Sequence, residues 1–118
     1  MAVTYNTVID QGADWYLNVT YNDPAGTPID ITGYTAALQI RTSPLARTYV
    51  LSLTDEDGIT ITGDEGLLAI HATALQTADI VNGKYSYDLE ITSPNPSYVV
   101  TRLIQGTVEV SAQTTRTE

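Results

Sequence analysis

Two stretches, Gly83–Ile91 (G-K-Y-S-Y-D-L-E-I) and Arg102–Val110 (R-L-I-Q-G-T-V-E-V), decide the fold class. In the first, Tyr85, Tyr87, Leu89 and Ile91 alternate with Lys84, Ser86, Asp88 and Glu90. A period of two places successive side chains on opposite faces of a strand, so the apolar set faces a core and the polar set faces outward. The second stretch is joined to the first through Ser93-Pro94-Asn95-Pro96-Ser97. Proline there donates no ladder bond and ends pairing, which makes the two runs a hairpin. The run from Tyr98 to Ser111 is long for one strand. Its phase is ambiguous before Gly106, where Val100 and Ile104 oppose Val99 and Leu103, and clean after it, where Val108 and Val110 point inward. Gly106 therefore reads as a bulge, or as a bend at which the strand changes sheets.

The same alternation extends outward along the chain. Trp15, Leu17, Val19 and Tyr21 share one phase, and Asn22-Asp23-Pro24-Ala25-Gly26 closes that strand with turn residues. Ala36, Leu38 and Ile40 alternate with Ala37, Gln39 and Arg41, and Tyr49, Leu51 and Leu53 share a face of the next run. Short strands follow the carboxylate-rich turn Asp55-Glu56-Asp57-Gly58 and the turn Gly63–Gly66. One segment breaks the pattern. Thr73 followed three residues later by Gln76 is a capping box, so residues 73–80 form one or two helical turns, with Leu75 and Ile80 reaching the core. Many short strands with closely spaced turns, and one connecting helix, predict an all-β, immunoglobulin-like antiparallel β-sandwich, with a small barrel as the alternative. The 118 residues suit a single domain over 1–118, with ends at 1–9 and 112–118 that are flexible or ordered by a partner.

Charge and composition narrow the function classes. Five Lys and Arg against fourteen Asp and Glu give a net charge of −9, which repels phosphate backbones and anionic lipid. Nucleic acid and membrane are accordingly not expected as partners. The absence of cysteine removes disulfides and thiolate metal sites, and the N-terminus lacks a basic region with an apolar signal core. The chain has a single histidine, His71, and no Gly-x-Ser-x-Gly elbow, so no nucleophile–base pair is evident. His71 reads as a structural or surface residue, and neither catalytic residues, cofactor nor metal ligands are assigned. The run Asp55–Gly58 invites a calcium reading, but its glycine falls at the wrong place for an EF-hand loop; solvated turn carboxylates are the expected explanation, with a loose surface calcium site shared with Asp64 and Glu65 as the alternative. Asn18-Val19-Thr20 matches a glycosylation sequon without a secretion signal beside it. Asp88 and Glu90 lie outward on one strand. The expectation is a cross-strand charge pairing of Asp88 or Glu90 with Arg41 or Arg102 rather than a catalytic carboxylate pair.

Several features occur in order: P-I-D-I-T-G-Y-T-A at Pro28–Ala36, A-L-Q-I-R at Ala37–Arg41, the T-A-L-Q-T-A-D-I helix, the G-K-Y-S-Y-D-L-E-I strand and V-T-R-L-I-Q-G-T-V-E-V at Val100–Val110. This string resembles the small immunoglobulin-like structural proteins of tailed bacteriophages. It is similar to the N-terminal domain of phage baseplate upper proteins, over roughly residues 12 to 111. The resemblance implies a virion structural or adaptor protein of the baseplate, tail or neck and fibre attachment, assembled in the host cytoplasm. Such a protein works by protein–protein assembly without catalysis. Its partners would be other virion proteins and copies of itself in a symmetric assembly. The alternative is a carbohydrate-binding or adhesion module that uses exposed tyrosines.

Overall fold

The computed structural model describes residues 3–94 and 98–114. Among the described residues nine strands form: β1 (Val3–Thr4), β2 (Thr7–Asp10), β3 (Trp15–Thr20), β4 (Thr35–Arg41), β5 (Leu51–Thr54), β6 (Ile59–Thr62), β7 (Leu67–Ala72), β8 (Gly83–Thr92) and β9 (Val100–Ser111). One helix, α1 (Ala74–Ala78), lies between β7 and β8. The larger sheet runs β1-β9-β8-β4-β5, with β2 also on β9, and the smaller runs β3-β7-β6. The two sheets enclose one core, which makes the chain the all-β sandwich with a short helix that the alternation predicts.

The core follows the period of two. Along β8, Tyr85, Tyr87, Leu89 and Ile91 are buried, facing Leu38 and Ile40 of β4 and Val108 and Val110 of β9 in the same layer. Trp15, Leu68 and Ile70 supply the opposite sheet. Leu17, Val19 and Tyr21 share Trp15's phase but are only partly buried against the core. The capping box forms as read: Gln76 N donates to Thr73 Oγ1 and Thr73 N donates to Gln76 Oε1.

Several expectations need correction. The N-terminal segment does not wait for a partner. Residues Val3–Asp10 lie along β9 of their own domain, with Val3 opposite Ile104 and Asp10 opposite Ser111. This pairing is parallel, so the sandwich is not wholly antiparallel. Ile9, with no exposed surface, anchors it in the core. At the other end Ala112–Thr114 continue past β9, and residues 115–118 lie outside the described set, as does the Asn95–Ser97 part of the proline turn.

Gly106 is not a bulge, and β9 does not change sheets there. Gly106 sits in regular register opposite Tyr87, and the irregularity comes earlier, where Leu89 faces Ile104 but Glu90 faces Arg102, leaving Leu103 as the extra residue. That extra residue explains the broken phase, since it lets Leu103 and Ile104 both be buried. The glycine serves a different need. A Cβ on Gly106 would stand 2.3 Å from the Tyr5 carbonyl oxygen and 2.9 Å from Asn6 Oδ1, so only a glycine lets the N-terminal strand lie this close. Leu75 faces outward and is 82% exposed, because α1 presents Thr77 and the following Ile80 to the core instead. Tyr49 is exposed too, since β5 begins only at Leu51.

Candidate functional site

Three places bring polar or apolar groups together at the surface. The first is the outer face of the larger sheet, where Gln39 and Arg41 of β4, Ser86 and Asp88 of β8, and Arg102 and Gln105 of β9 line a shallow concavity of about 390 Å³. Arg102 Nε lies 3.4 Å from Asp88 Oδ2, and Arg102 Nη1 donates to Gln105 Oε1 at 2.9 Å. Glu90 stands directly opposite Arg102 in register, yet the ion pair forms diagonally with Asp88. Arg41 pairs with neither carboxylate. It donates to Gln39 Oε1 at 2.5 Å and to the Ala46 carbonyl at 3.1 Å, which pins the loop after β4. These groups satisfy one another, and an exposed ion pair of this kind contributes at most about 1 kcal/mol.

The second place surrounds His71. Its Nε2 lies 2.9 Å from Asp14 Oδ2, and its ring stacks on Tyr16 with centroids 4.5 Å apart and planes 5° from parallel. The register of β3 on β7 sets this up, since Tyr16 and His71 are cross-strand partners on the outer face. Asp14 Oδ1 accepts from Ala74 N at 2.9 Å, so the same carboxylate holds the first turn of α1. The hydrogen bond with His71 is the main cause that keeps Asp14 below the usual carboxylate range, with desolvation working against it. No serine hydroxyl bonds to His71 among the described residues. The group reads as a brace between the β2–β3 turn and α1. Asp55, in the acidic turn, directs its carboxylate to Ala36 N at 3.1 Å. No three of His, Cys, Asp and Glu converge as a metal-ligand group among the described residues.

The third place is a groove between the sheets, with a volume of about 590 Å³. Leu17, Val19 and Tyr21 of the β3 side form one wall, and Val3, Tyr5, Leu103 and Ile104 of the β1–β9 side form the other. The lining holds no acidic residue and one basic one, Arg102, which is paired with Asp88 on the outer face. Val3 is 63% and Tyr5 48% exposed, and the exposed Val99 and Val100 continue the apolar surface toward the start of β9. Both strands that border the groove are sheet edges: among the described residues β3 pairs only with β7, and β1 only with β9. Unpaired strand edges present backbone donors and acceptors to any extended chain that approaches. Of the three places, this one has unmet binding capacity, and it is the candidate site.

The groove was not legible in the sequence. It arises because, among the described residues, no strand covers the free edge of β3, and an absent strand leaves no motif. On β3 its mark is the half-burial of Leu17, Val19 and Tyr21, and alternation alone cannot separate half-buried from buried residues. Compared with known proteins, the chain matches no family model and no curated protein.

Proposed function

We propose that the chain is a structural adaptor of a tailed-bacteriophage virion that acts through protein–protein assembly. The single observation that supports assembly is the uncovered groove between β3 and β1–β9, where apolar side chains and two unpaired strand edges face solvent together. Exposed apolar surface next to a free edge is where a sandwich domain engages another chain. The phage setting rests on the resemblance carried by the Pro28–Arg41 string and the β8–β9 pair. Three of the exposed tyrosines, Tyr5, Tyr16 and Tyr49, lie on different surfaces, which does not favour a single glycan platform. Tyr16 lies on the outer face of the smaller sheet, Tyr49 precedes β5 at one edge of the larger sheet, and Tyr5 flanks β1 at the other.

The test is mass spectrometry of gradient-purified phage particles from the source of this gene. The expected result is that peptides of this chain occur in fixed ratio to tail or baseplate proteins. Particles that contain no copy of it would end the virion reading.

A further inference from the structure

The smaller sheet has three strands where the larger has five along its ordered path. The turn from β5 to β6, bridged at Thr54 and Gly58, holds the two sheets flush on one side. The shortfall therefore falls on the other side, next to β3, and the groove is the space that a further strand would fill. The backbone of β3 is phased for such a strand. Tyr21 N donates toward Gly66 on the β7 side at 2.8 Å, which puts the odd-numbered residues in hydrogen-bonded register with β7. In antiparallel pairing the alternate residues then turn their N–H and C=O groups to the free edge, here Tyr16, Asn18 and Thr20. The edge carries none of the usual protections: from Trp15 to Asn22 there is no proline, glycine or charged residue.

The charges around the edge indicate what fits. Asp14, which also bonds His71 and Ala74 N, and Asp23 bracket it, no basic residue lies between them in sequence, and Arg102, the basic residue of the groove lining, is paired with Asp88. A second copy fits poorly. Its own β3 would bring two more carboxylates to the same ends, its N-terminal stretch Val3–Ile9 has no basic residue, and its larger sheet would run into β1 and β9. An arm without a domain close behind it has room. We infer that the β3 edge accepts an extended strand donated by a different protein, antiparallel to β3, aliphatic at alternate positions and with a basic residue at each end. Its aliphatic side chains fall between Leu17 and Val19 on one wall and Val3 and Leu103 on the other. This deepens the assembly reading and rests on it, by naming the contact through which the domain is held.

The probe is a short synthetic peptide of alternating valine and threonine with a lysine at each end, titrated into the intact protein and followed by backbone amide NMR and hydrogen exchange. The expected result is shifts centred on Tyr16, Asn18 and Thr20, with exchange at these amides slowed at least about tenfold. The same peptide with glutamate ends binds about tenfold more weakly at low salt. A peptide N-methylated at alternate residues, which cannot complete the ladder, does not bind, and Asn18→Pro in the protein abolishes binding of the parent peptide. The inference is overturned by shifts that lie elsewhere, by no binding at millimolar peptide, or by equal binding of the glutamate-ended form. It is also overturned if the protein alone dimerises with these same amides protected, because the occupant is then a second copy. Finding the chain in purified particles while the peptide fails would remove this contact and leave the virion role standing. Peptide binding with the chain missing from particles would do the reverse.

Discussion

Tyr87 and Gly106 show how one residue's chemistry sets its neighbour's. They face each other across β8 and β9, and the missing side chain of Gly106 lets the Tyr5 carbonyl approach, where it accepts a hydrogen bond from the Tyr87 hydroxyl at 2.5 Å. Burial, with a smaller contribution from Tyr5, raises the Tyr87 phenol to about 12. A phenol whose folded value is raised stabilises the fold fully below the unfolded value near 10, and that contribution is lost as pH rises through about 12. Chemical denaturation between pH 9 and 12 should therefore show falling stability in that window, and Tyr87→Phe should flatten the fall. At neutral pH the same substitution leaves the Tyr5 carbonyl without its partner and costs about 1–2 kcal/mol. Gly106→Ala should cost about 1–3 kcal/mol in urea unfolding, since its Cβ must displace the N-terminal backbone. Asp14 works in the opposite direction: its lowered value gives stability that is present above the usual carboxylate range and lost as pH falls through its folded value. Asp14→Asn should remove that part of the acid dependence in an acid titration of the fold.

At the scale of elements, α1 is held by its cap at one end and by Thr77 in the middle. Thr77 is the sole buried polar residue among those described, and its hydroxyl donates to the Ala13 carbonyl at 2.8 Å while accepting from Gly12 N at 3.0 Å. Thr77→Val keeps the shape but leaves both backbone groups unmet, and should cost about 2–3 kcal/mol by thermal or chemical unfolding. Ile9→Ala should cost about 2–5 kcal/mol, because β2 is fixed to β9 by a side chain with no exposed surface. How much of this was legible depended on whether a signal was local. The face of Tyr85, Tyr87, Leu89 and Ile91, the shared phase of Trp15 with Leu17 and Val19, and the Thr73–Gln76 box are statements about neighbours in sequence, and alternation and spacing carry them. The parallel pairing of Val3–Asp10 was hidden, because Tyr5–Asn6 interrupts its ladder and Val8 faces solvent beside the buried Ile9. At Gly106 the residue type marked a backbone constraint but not which chain segment imposed it. The links of Asp14 to His71 and Ala74 join residues 57 and 60 positions apart, beyond what any periodicity reports.

For the whole molecule, the decisive quantity is charge. A net charge of −9 and a sequence pI near 4.2 add electrostatic repulsion between copies at neutral pH. Light scattering across pH 7 to 4 should show self-association setting in as the pI is approached, with added salt promoting it at neutral pH by screening repulsion. The candidate site was the least legible part of the molecule, since it depends on the mismatch in width between two sheets. The charge pairing around Asp88 could be framed from the sequence, although only the register places Arg102 with Asp88 and turns Arg41 to Gln39 and Ala46. The parallel seat of β1 and β2 on β9 also orders events in time. Val3–Asp10 is made before the strands it joins, and among the described residues its ladder partner is Ile104–Ser111, so the segment cannot pair there until nearly all of the domain has been made. The edge of β9 thus stays open until that late stage of synthesis, and covering it leaves β1 and β3 as the free edges beside the groove of the finished domain.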